Sequence, residues 1–293
     1  MQTNLLRAAL WMSGAIVSFS AMAVAGREVA ETLNTFELMF YRSVIGFGLV
    51  LVLILASRRG FGQVVTRHPR QHFWRNVAHF AGQNAWFYGV AAIPLSQLVA
   101  LEFTNPLWVA LLAPLFLGER MTLVRALAAV LGFLGILIVA RPGLAPIEWG
   151  HAAGMAAAFF FALNTLFTRR IMGHDTVICV MFWMTLSQAG MGLVFALPGS
   201  IPWPPPDIFA WVALTGVCGL TAHYALTSAL ACAPATVVAP MEFGRLPLIA
   251  LIGFFRYDEP LEAAVAIGAV LIVTANLVNL REERAQGRQH RAI

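Results

Sequence analysis

Apolar residues run along this chain in blocks of about 17–22, the length a helix needs to cross the hydrocarbon layer of a bilayer. Reading from the N-terminus, the blocks fall at 8–26, 36–56, 73–92, 96–117, 122–140, 149–168, 175–197, 207–230, 235–254 and 261–280. The gaps are short and punctuated by proline and glycine, as in "IPLS", "RPGLAP" and "PGSIPWPPPD". Blocks this long and this apolar are helical, because a backbone in lipid must satisfy its hydrogen bonds within the segment, and a barrel strand would alternate. The pattern predicts an all-α integral membrane protein with ten transmembrane helices and no soluble domain. Arg7, the run after it and "AMAVAG" mimic a cleaved signal peptide. We read that segment as the first span, because it has a counterpart later in the chain.

The counterpart emerges when the chain is slid against itself by 140 residues. Gly14 then meets Gly154, Phe19 meets Phe159, Pro94 meets Pro234, Glu102-Phe103 meets Glu242-Phe243, Glu119 meets Glu259 and Arg141 meets Arg281, without a gap. Glutamate and proline are scarce here, so their coincidence carries weight. Each half holds five spans, and an odd number puts the start of the second half on the opposite face. The expected architecture is two inverted five-helix repeats, residues 1–142 and 143–283, followed by a short basic tail, 284–293. Such repeats suit a secondary transporter, which alternates between two near-equivalent shapes.

Composition agrees with the spans. Of 293 residues, 59% are hydrophobic and 11% charged, against roughly 25% charged in a soluble domain. Every basic side chain among the 19 lysine and arginine positions is arginine, which reads as genome bias. With the N-terminus in the cytoplasm, fourteen arginines lie on the inner side, and only Arg27, Arg141 and Arg256 lie outside. That bias places both termini in the cytoplasm of a multi-pass plasma-membrane protein, a bacterial inner membrane. The net charge of +5 is therefore topological, and no nucleic-acid partner is expected. Cys179, Cys218 and Cys232 fit packing positions better than a disulfide. The histidines lack metal-ligand spacing, so no metal or cofactor is expected. There is no P-loop for nucleotide drive and no nucleophile–base set for catalysis, so an enzyme is not expected.

Charges inside the spans carry the chemistry. A carboxylate at mid-span costs about 2.5–3.5 kcal/mol on insertion scales, and such residues mark pathways or relays by default. Glu102 has Asn105 on its own face, and Glu242 has Arg245 at the same spacing. Arg42 and Glu102 both lie about six residues from the outer end of their spans, roughly 9 Å deep, and are expected to face each other across a cavity. Under the 140-residue shift Arg42 meets Phe182 and Arg245 meets Asn105, so the cations are not shared scaffold. Arg42 and Arg245 could hold a substrate carboxylate or phosphate, and Glu102 could carry a proton. Locking of helices by ion pairs is the competing reading. The segment "HFAGQNAWFYG" adds His79, Gln83, Asn84, Trp86 and Tyr88, with His79, Gln83 and Trp86 near one helical face. The second half adds His223 and Tyr224, and the sixth span Asn164. These twelve polar or aromatic side chains, together with Asn105, form the expected substrate-binding set, for which helix-to-helix hydrogen bonding is the plain alternative. Trp108 and Trp183 could stack on a ligand. Trp11, Trp74, Trp149, Trp203 and Trp211 sit where interface anchors do.

Pro106 and Pro247 are expected to kink their helices, and Glu119 and Glu259, ahead of the fifth and tenth spans, to act as structural or gating carboxylates. Ala128, Gly132, Gly135, Ala264 and Gly268 permit close helix contact, either between the halves or in a homodimer.

The five-plus-five arrangement, the Arg42-bearing "FELMFYRSVIG", "LEFTNPLW…LGE" and "MEFGRLPL…YDE" resemble the EamA family of the drug/metabolite transporter superfamily. The resemblance covers nearly the whole chain and is diffuse rather than motif-sharp. It implies a cavity lined by the first four helices of each repeat, with the fifth helices peripheral. The leading expectation is a secondary active carrier that exports an amino-acid-like or zwitterionic metabolite by alternating access. The next is an importer of a vitamin, nucleoside or sulfonium metabolite. A channel or an intramembrane enzyme is the reading from another class.

Overall fold

The computed structural model describes residues 4–117, 121–141, 148–172, 174–199, 201–233, 238 and 241–289. Those residues form eleven α-helices and one short 3-10 turn at Gly60–Val64, with no strand among them. In chain order they are α1 (Leu5–Val29), α2 (Thr35–Ala56), α3 (Pro69–Ala92), α4 (Leu95–Glu102), α5 (Asn105–Leu117), α6 (Leu123–Ala140), α7 (Trp149–Ile171), α8 (Val177–Ala196), α9 (Pro206–Cys232), α10 (Arg245–Tyr257) and α11 (Ala263–Gln289). Their starts carry local signals. Asn34 and Glu37 make a capping box for α2, Thr122 and Thr176 cap α6 and α8, and proline opens α3 and α9.

Eight segments are long and apolar enough to span a bilayer: α1, α2, α4 with α5, α6, α7, α8, α9 and α11. The sequence pattern predicts ten spans. The third of them is the 24-residue α3, which His72, Arg75, Asn76, His79, Gln83 and Asn84 make too polar to qualify. The ninth falls partly on residues outside the described set, and its described part, α10, has 13 residues. The expected span 96–117 is not one straight helix. It breaks after Glu102, with a turn at residues 103–104 between α4 and α5. The same turn recurs at residues 243–244, ahead of α10.

Proline explains both breaks. A proline has no N–H to donate to the carbonyl four residues back, and its ring clashes with that carbonyl. Four residues before Pro106 stands Glu102; four before Pro247 stands Phe243. Each break is stitched by shorter bonds. Leu107 N–H donates to the Thr104 carbonyl at 2.9 Å, and Leu246 N–H to the Phe243 carbonyl at 3.1 Å. Pro114 lies inside α5 without ending it.

Four packings hold most of the structure together: α1 with α9, α3 with α7, α2 with α8, and α6 with α11. The α6–α11 crossing is a backbone contact. A Cβ added at Gly135 would come within 2.8 Å of the Gly268 carbonyl oxygen, and one at Gly268 within 2.7 Å of the Gly135 carbonyl. The small residues foreseen in these two helices are thus used within one chain.

Two substitutions separate close packing from mere helix propensity. Gly135→Leu has no space to enter and should lower stability by about 1–3 kcal/mol. Gly190→Ala, where a Cβ would meet nothing within 4 Å, should leave the melting temperature unchanged or slightly higher. Thermal unfolding in detergent micelles reads both.

Candidate functional site

The two helix breaks face one another. Arg245, at the start of α10, is 2% exposed and is the largest fully buried side chain among the described residues. Its Nη2 lies 2.7 Å from Oε1 of Glu102, at the end of α4. The other oxygen of that carboxylate accepts a 2.8 Å hydrogen bond from the indole N–H of Trp86 on α3. The Arg245–Glu102 contact is a close ion pair, and Nε lacks a hydrogen-bond partner. The Nε–H is therefore buried and unsatisfied. The faces of the guanidinium are covered: the ring centroids of Phe19 and Phe103 lie 5.1 and 5.2 Å from the guanidinium carbon. Glu242 sits close enough to interact with both Arg245 and Glu102, so the cluster holds two carboxylates to one guanidinium.

This cluster forms one wall of a cavity of ≈ 250 Å³. Across from it stand His79 and Gln83 of α3, Phe161, Asn164 and Thr165 of α7, and His223 of α9. His79 is held by Gln188 of α8 at its Nδ1, and its ring lies 6.1 Å from that of His223. Phe161, Phe243, Met22 and Leu226 complete the apolar surface.

Most of the residues chosen from sequence come together here: His79, Gln83, Trp86, Glu102, Asn105, Pro106, Asn164, His223, Glu242 and Arg245 all line the cavity. The expected pairing of Arg42 with Glu102 is not formed; Arg245 occupies that role. Depth along a span does not fix the direction a side chain faces, and Arg42 faces α9 instead, in a smaller space that His79 and His223 also border. Asn84, Tyr88 and Tyr224 do not line the cavity. Asn84 donates to the Phe80 carbonyl of its own helix, Tyr88 is 46% exposed, and Tyr224 packs edge-on against Trp11. Pro247 is exposed on the far side of α10. Trp108 packs against Phe133 and Phe159, and the Trp183 indole donates to the Val64 carbonyl at 3.0 Å.

Glu259 sits away from the cavity. It pairs with Arg27 and accepts from the Leu95 N–H at 2.9 Å, while Arg27 also donates to the Val90 and Ile93 carbonyls. These bonds tie the end of α1 to the α3–α4 and α10–α11 junctions. Glu119 lies outside the described residues. The lining residues not expected from sequence are Met22, Thr165, Leu226 and four phenylalanines, Phe19, Phe103, Phe161 and Phe243, the last four ordinary members of a set of 21.

The described residues offer one trio that could hold a metal ion: His72, Asp175 and Cys179, whose ligand atoms lie within 4.8 Å of one another. Asp175 and Cys179 are four positions apart, but His72 stands 103 positions before Asp175, so the trio leaves no local spacing signal. In this structure Asp175 accepts from Thr66 at 2.6 Å and contacts His72 Nε2 at 2.8 Å, and the Cys179 thiol points at the Val64 carbonyl. Burial pushes the Asp175 carboxyl up, but the Thr66 and His72 hydrogen bonds and the nearby His72 and His68 charges outweigh it and hold it below the usual range.

The EamA-like transporter family model matches residues 6–141 and again 148–281. This chain belongs to that family. An EamA-like chain is a small-molecule transporter, and the multiple apolar helices make this one a multi-pass membrane protein. Its relatives agree along their whole lengths. It is 30% identical to a riboflavin transporter of Rhizobium johnstonii over 96% of this chain and 93% of that one. It is 26% identical to an S-adenosylmethionine uptake transporter of Rickettsia felis over 96% and 95%, and 25% identical to a riboflavin transporter of Vibrio cholerae over 98% and 97%. A crystal structure with 20% identity aligns over 95% of this EamA-like chain and 98% of its own, with a TM-score of 0.64, which shows a shared fold.

Two outcomes follow for the charged groups. Glu102→Gln removes the carboxylate in contact with buried Arg245 and leaves Glu242 as its remaining counter-charge, so it should cost about 1–3 kcal/mol; denaturation in micelles reads this, with Trp86 emission shifting in the same variant. At Asp175 the folded carboxyl is held low, so its stabilisation is complete above the ordinary carboxylate value and is lost as pH falls through the lowered one. Melting temperatures between about pH 6 and pH 3 should fall less steeply for Asp175→Asn than for the unaltered chain.

Proposed function

We propose that this protein is a secondary carrier that imports a flat heteroaromatic metabolite of the flavin class across a bacterial inner membrane. The observation that supports this most is the cavity wall. A buried guanidinium with an unsatisfied N–H, two carboxylates and an indole N–H stand among Phe19, Phe103, Phe161 and Phe243. Aromatic faces stack on a fused ring system, while the polar groups meet its carbonyl and N–H edge. The riboflavin transporters among the relatives fit that chemistry.

A sulfonium nucleoside is the second reading. The surplus of carboxylate over guanidinium, and the rings around it, suit a cation carried on a flat base, and one relative is named for uptake of such a compound. Export of a small zwitterion, placed first by sequence reasoning, has less support, because an amino acid covers little of the aromatic wall and these relatives carry larger ligands.

The transport cycle we infer rests on two inverted repeats of five helices, with the divisions at 142–143 and 283–284. Under the 140-residue shift, α1 corresponds to α7 and α3 to α9. The packings α1–α9 and α3–α7 are then one pairing with the halves exchanged, while α2–α8 and α6–α11 each pair a helix with its own counterpart. That is the pattern of a twofold axis between the halves. The arginine bias sets both termini in the cytoplasm, and Arg27, Glu259, Arg141, Glu262, Glu28 and Arg256 then make their ion pairs at the outer ends. We read this state as closed outside. Glu102, bonded to Trp86 and Arg245, is the group we assign to any proton coupling, since substrate and proton would compete for the same carboxylate.

Purified protein in liposomes tests the reading. Preloaded riboflavin should drive saturable counterflow of labelled riboflavin and quench tryptophan emission. Trp86→Leu and Glu102→Gln should each weaken apparent affinity by about tenfold, as expected for loss of one buried stacking or charged contact. Counterflow with S-adenosylmethionine but not riboflavin would select the second reading. Counterflow with amino acids alone would restore the exporter, and flux without saturation would mark a channel.

A further inference from the structure

We infer that Arg42 forms a binding site for a small monatomic anion of the chloride class, beside the substrate cavity and separate from it. Arg42 is 8% exposed. None of the ion pairs among the described residues includes it. Its Nη1 and Nη2 point at the sulfurs of Met39 and Met22, at 3.5 and 3.8 Å, and thioethers are weak acceptors. The Phe87 ring covers one face, 5.3 Å from the guanidinium carbon. Its Nε has no partner, and neither does the hydroxyl of the adjacent Ser43. A cation cannot be deprotonated away here, because guanidinium keeps its charge in proteins, and a buried charge without a counter-charge is costly.

The surroundings deepen the demand. Arg75, 6% exposed, is bonded only to neutral groups, its Nε to Thr168 and its Nη1 to Asn76. Both arginines are close enough to act on His79 and His223. Two buried guanidinium groups thus act on the same pair of histidines, with no carboxylate paired to either among the described residues, a field that attracts an anion.

The space beside Arg42 fixes the size of the guest. It amounts to ≈ 20 Å³, bordered by Ser43, His79, Thr185, Gln188, Gly216, Gly219 and His223. About 10–15 Å³ on this measure holds one water, so the site takes one atom-sized guest and is too small for a planar carboxylate or a phosphate. The available hydrogens belong to donors: Arg42 Nε, the Ser43 hydroxyl and, with Gln188 donating to Nδ1, the Nε2–H of His79. Donors around a cation, in a space of one atom, select a halide. The glycines keep it open: a Cβ at Gly219 would come within 2.5 Å of Arg42 Nη2.

The site is tested by moving the protein into sodium gluconate and titrating chloride or bromide while thermal unfolding is followed, with sulfate as the size control. We expect a saturable rise in melting temperature with either halide and none with sulfate. Two variants locate it. Arg42→Met fills the same space among the methionines without charge, and Gly219→Ala displaces the guanidinium while keeping its charge. Each should weaken the halide response by about fivefold or more, as loss of a buried charged partner predicts. Should Arg42→Met fail to fold, Gly219→Ala decides alone. A wild-type protein that does not respond to halide, an equal response to sulfate, or a response unchanged in Gly219→Ala overturns the assignment and leaves water as the guest. Riboflavin quenching of tryptophan emission in the same gluconate samples reports the transport reading independently, so either can fail without the other.

Discussion

A charge carried into a bilayer must find a counter-charge or a wet space, and the organisation of this molecule follows from that requirement at Glu102 and Arg245. The two residues stand on different halves of the chain, each at a break in its helix, and they meet at 2.7 Å. Neither would be tolerable alone at that depth. Together they pin α4 to α10 and hold Trp86 in place through the second carboxylate oxygen. The cavity gives the charged and polar groups that line it a place away from lipid, with phenylalanine, methionine and leucine completing its wall.

The breaks are as necessary as the charges. A continuous helix would present Glu102 to one fixed direction and leave its backbone fully self-bonded. Pro106 removes the bond that the Glu102 carbonyl would accept, and Pro247 does the same to Phe243. The acids at 102 and 242 therefore stand beside turns at equivalent places in the two halves, where shorter bonds replace the lost helical ones. Irregular backbone at membrane depth is tolerated only where protein or water covers it. Here it borders the cavity, and Arg245 occupies the ground between the two turns.

Much of this was legible in the chain itself. Length and polarity located most of the helices, and the 140-residue repeat paired Glu102 with Glu242, because scarce glutamates carry positional information in so apolar a sequence; Pro106 and Pro247 were legible as kinks, and the full breaks were not. The helical period brought His79, Gln83 and Trp86 to one face. The same period explains three residues that do not line the cavity: Asn84 and Tyr224 each follow a lining residue by one position, a rotation of about 100°, and Tyr88 follows Trp86 by two. What was not legible is azimuth between helices. Arg42 and Arg245 are similar in type and depth, and only the packed bundle shows which one reaches Glu102. The phenylalanine lining was hidden for a different reason. One ring among many has no chemical signature until a guanidinium is placed between two of them.

The two buried arginines answer the same physical problem in different ways. Position 245 corresponds to Asn105 in the first half, and position 42 to Phe182 in the second, so each cation stands in one half only. Each then reaches across to the other half: Arg245 to Glu102 on α4, Arg42 toward Gly219 on α9. A helix-locking device inherited from one ancestral repeat would recur in both. Charges standing singly, directed across the divide between halves, instead break the equivalence of the repeats at the places where a ligand would feel it. Arg245 resolves its burial with a carboxylate from the facing half. Arg42 is met only by sulfur, an aromatic face and a space the size of one atom. The fold supplies two similar halves, and the unmatched cations make the chamber between them chemically one-sided.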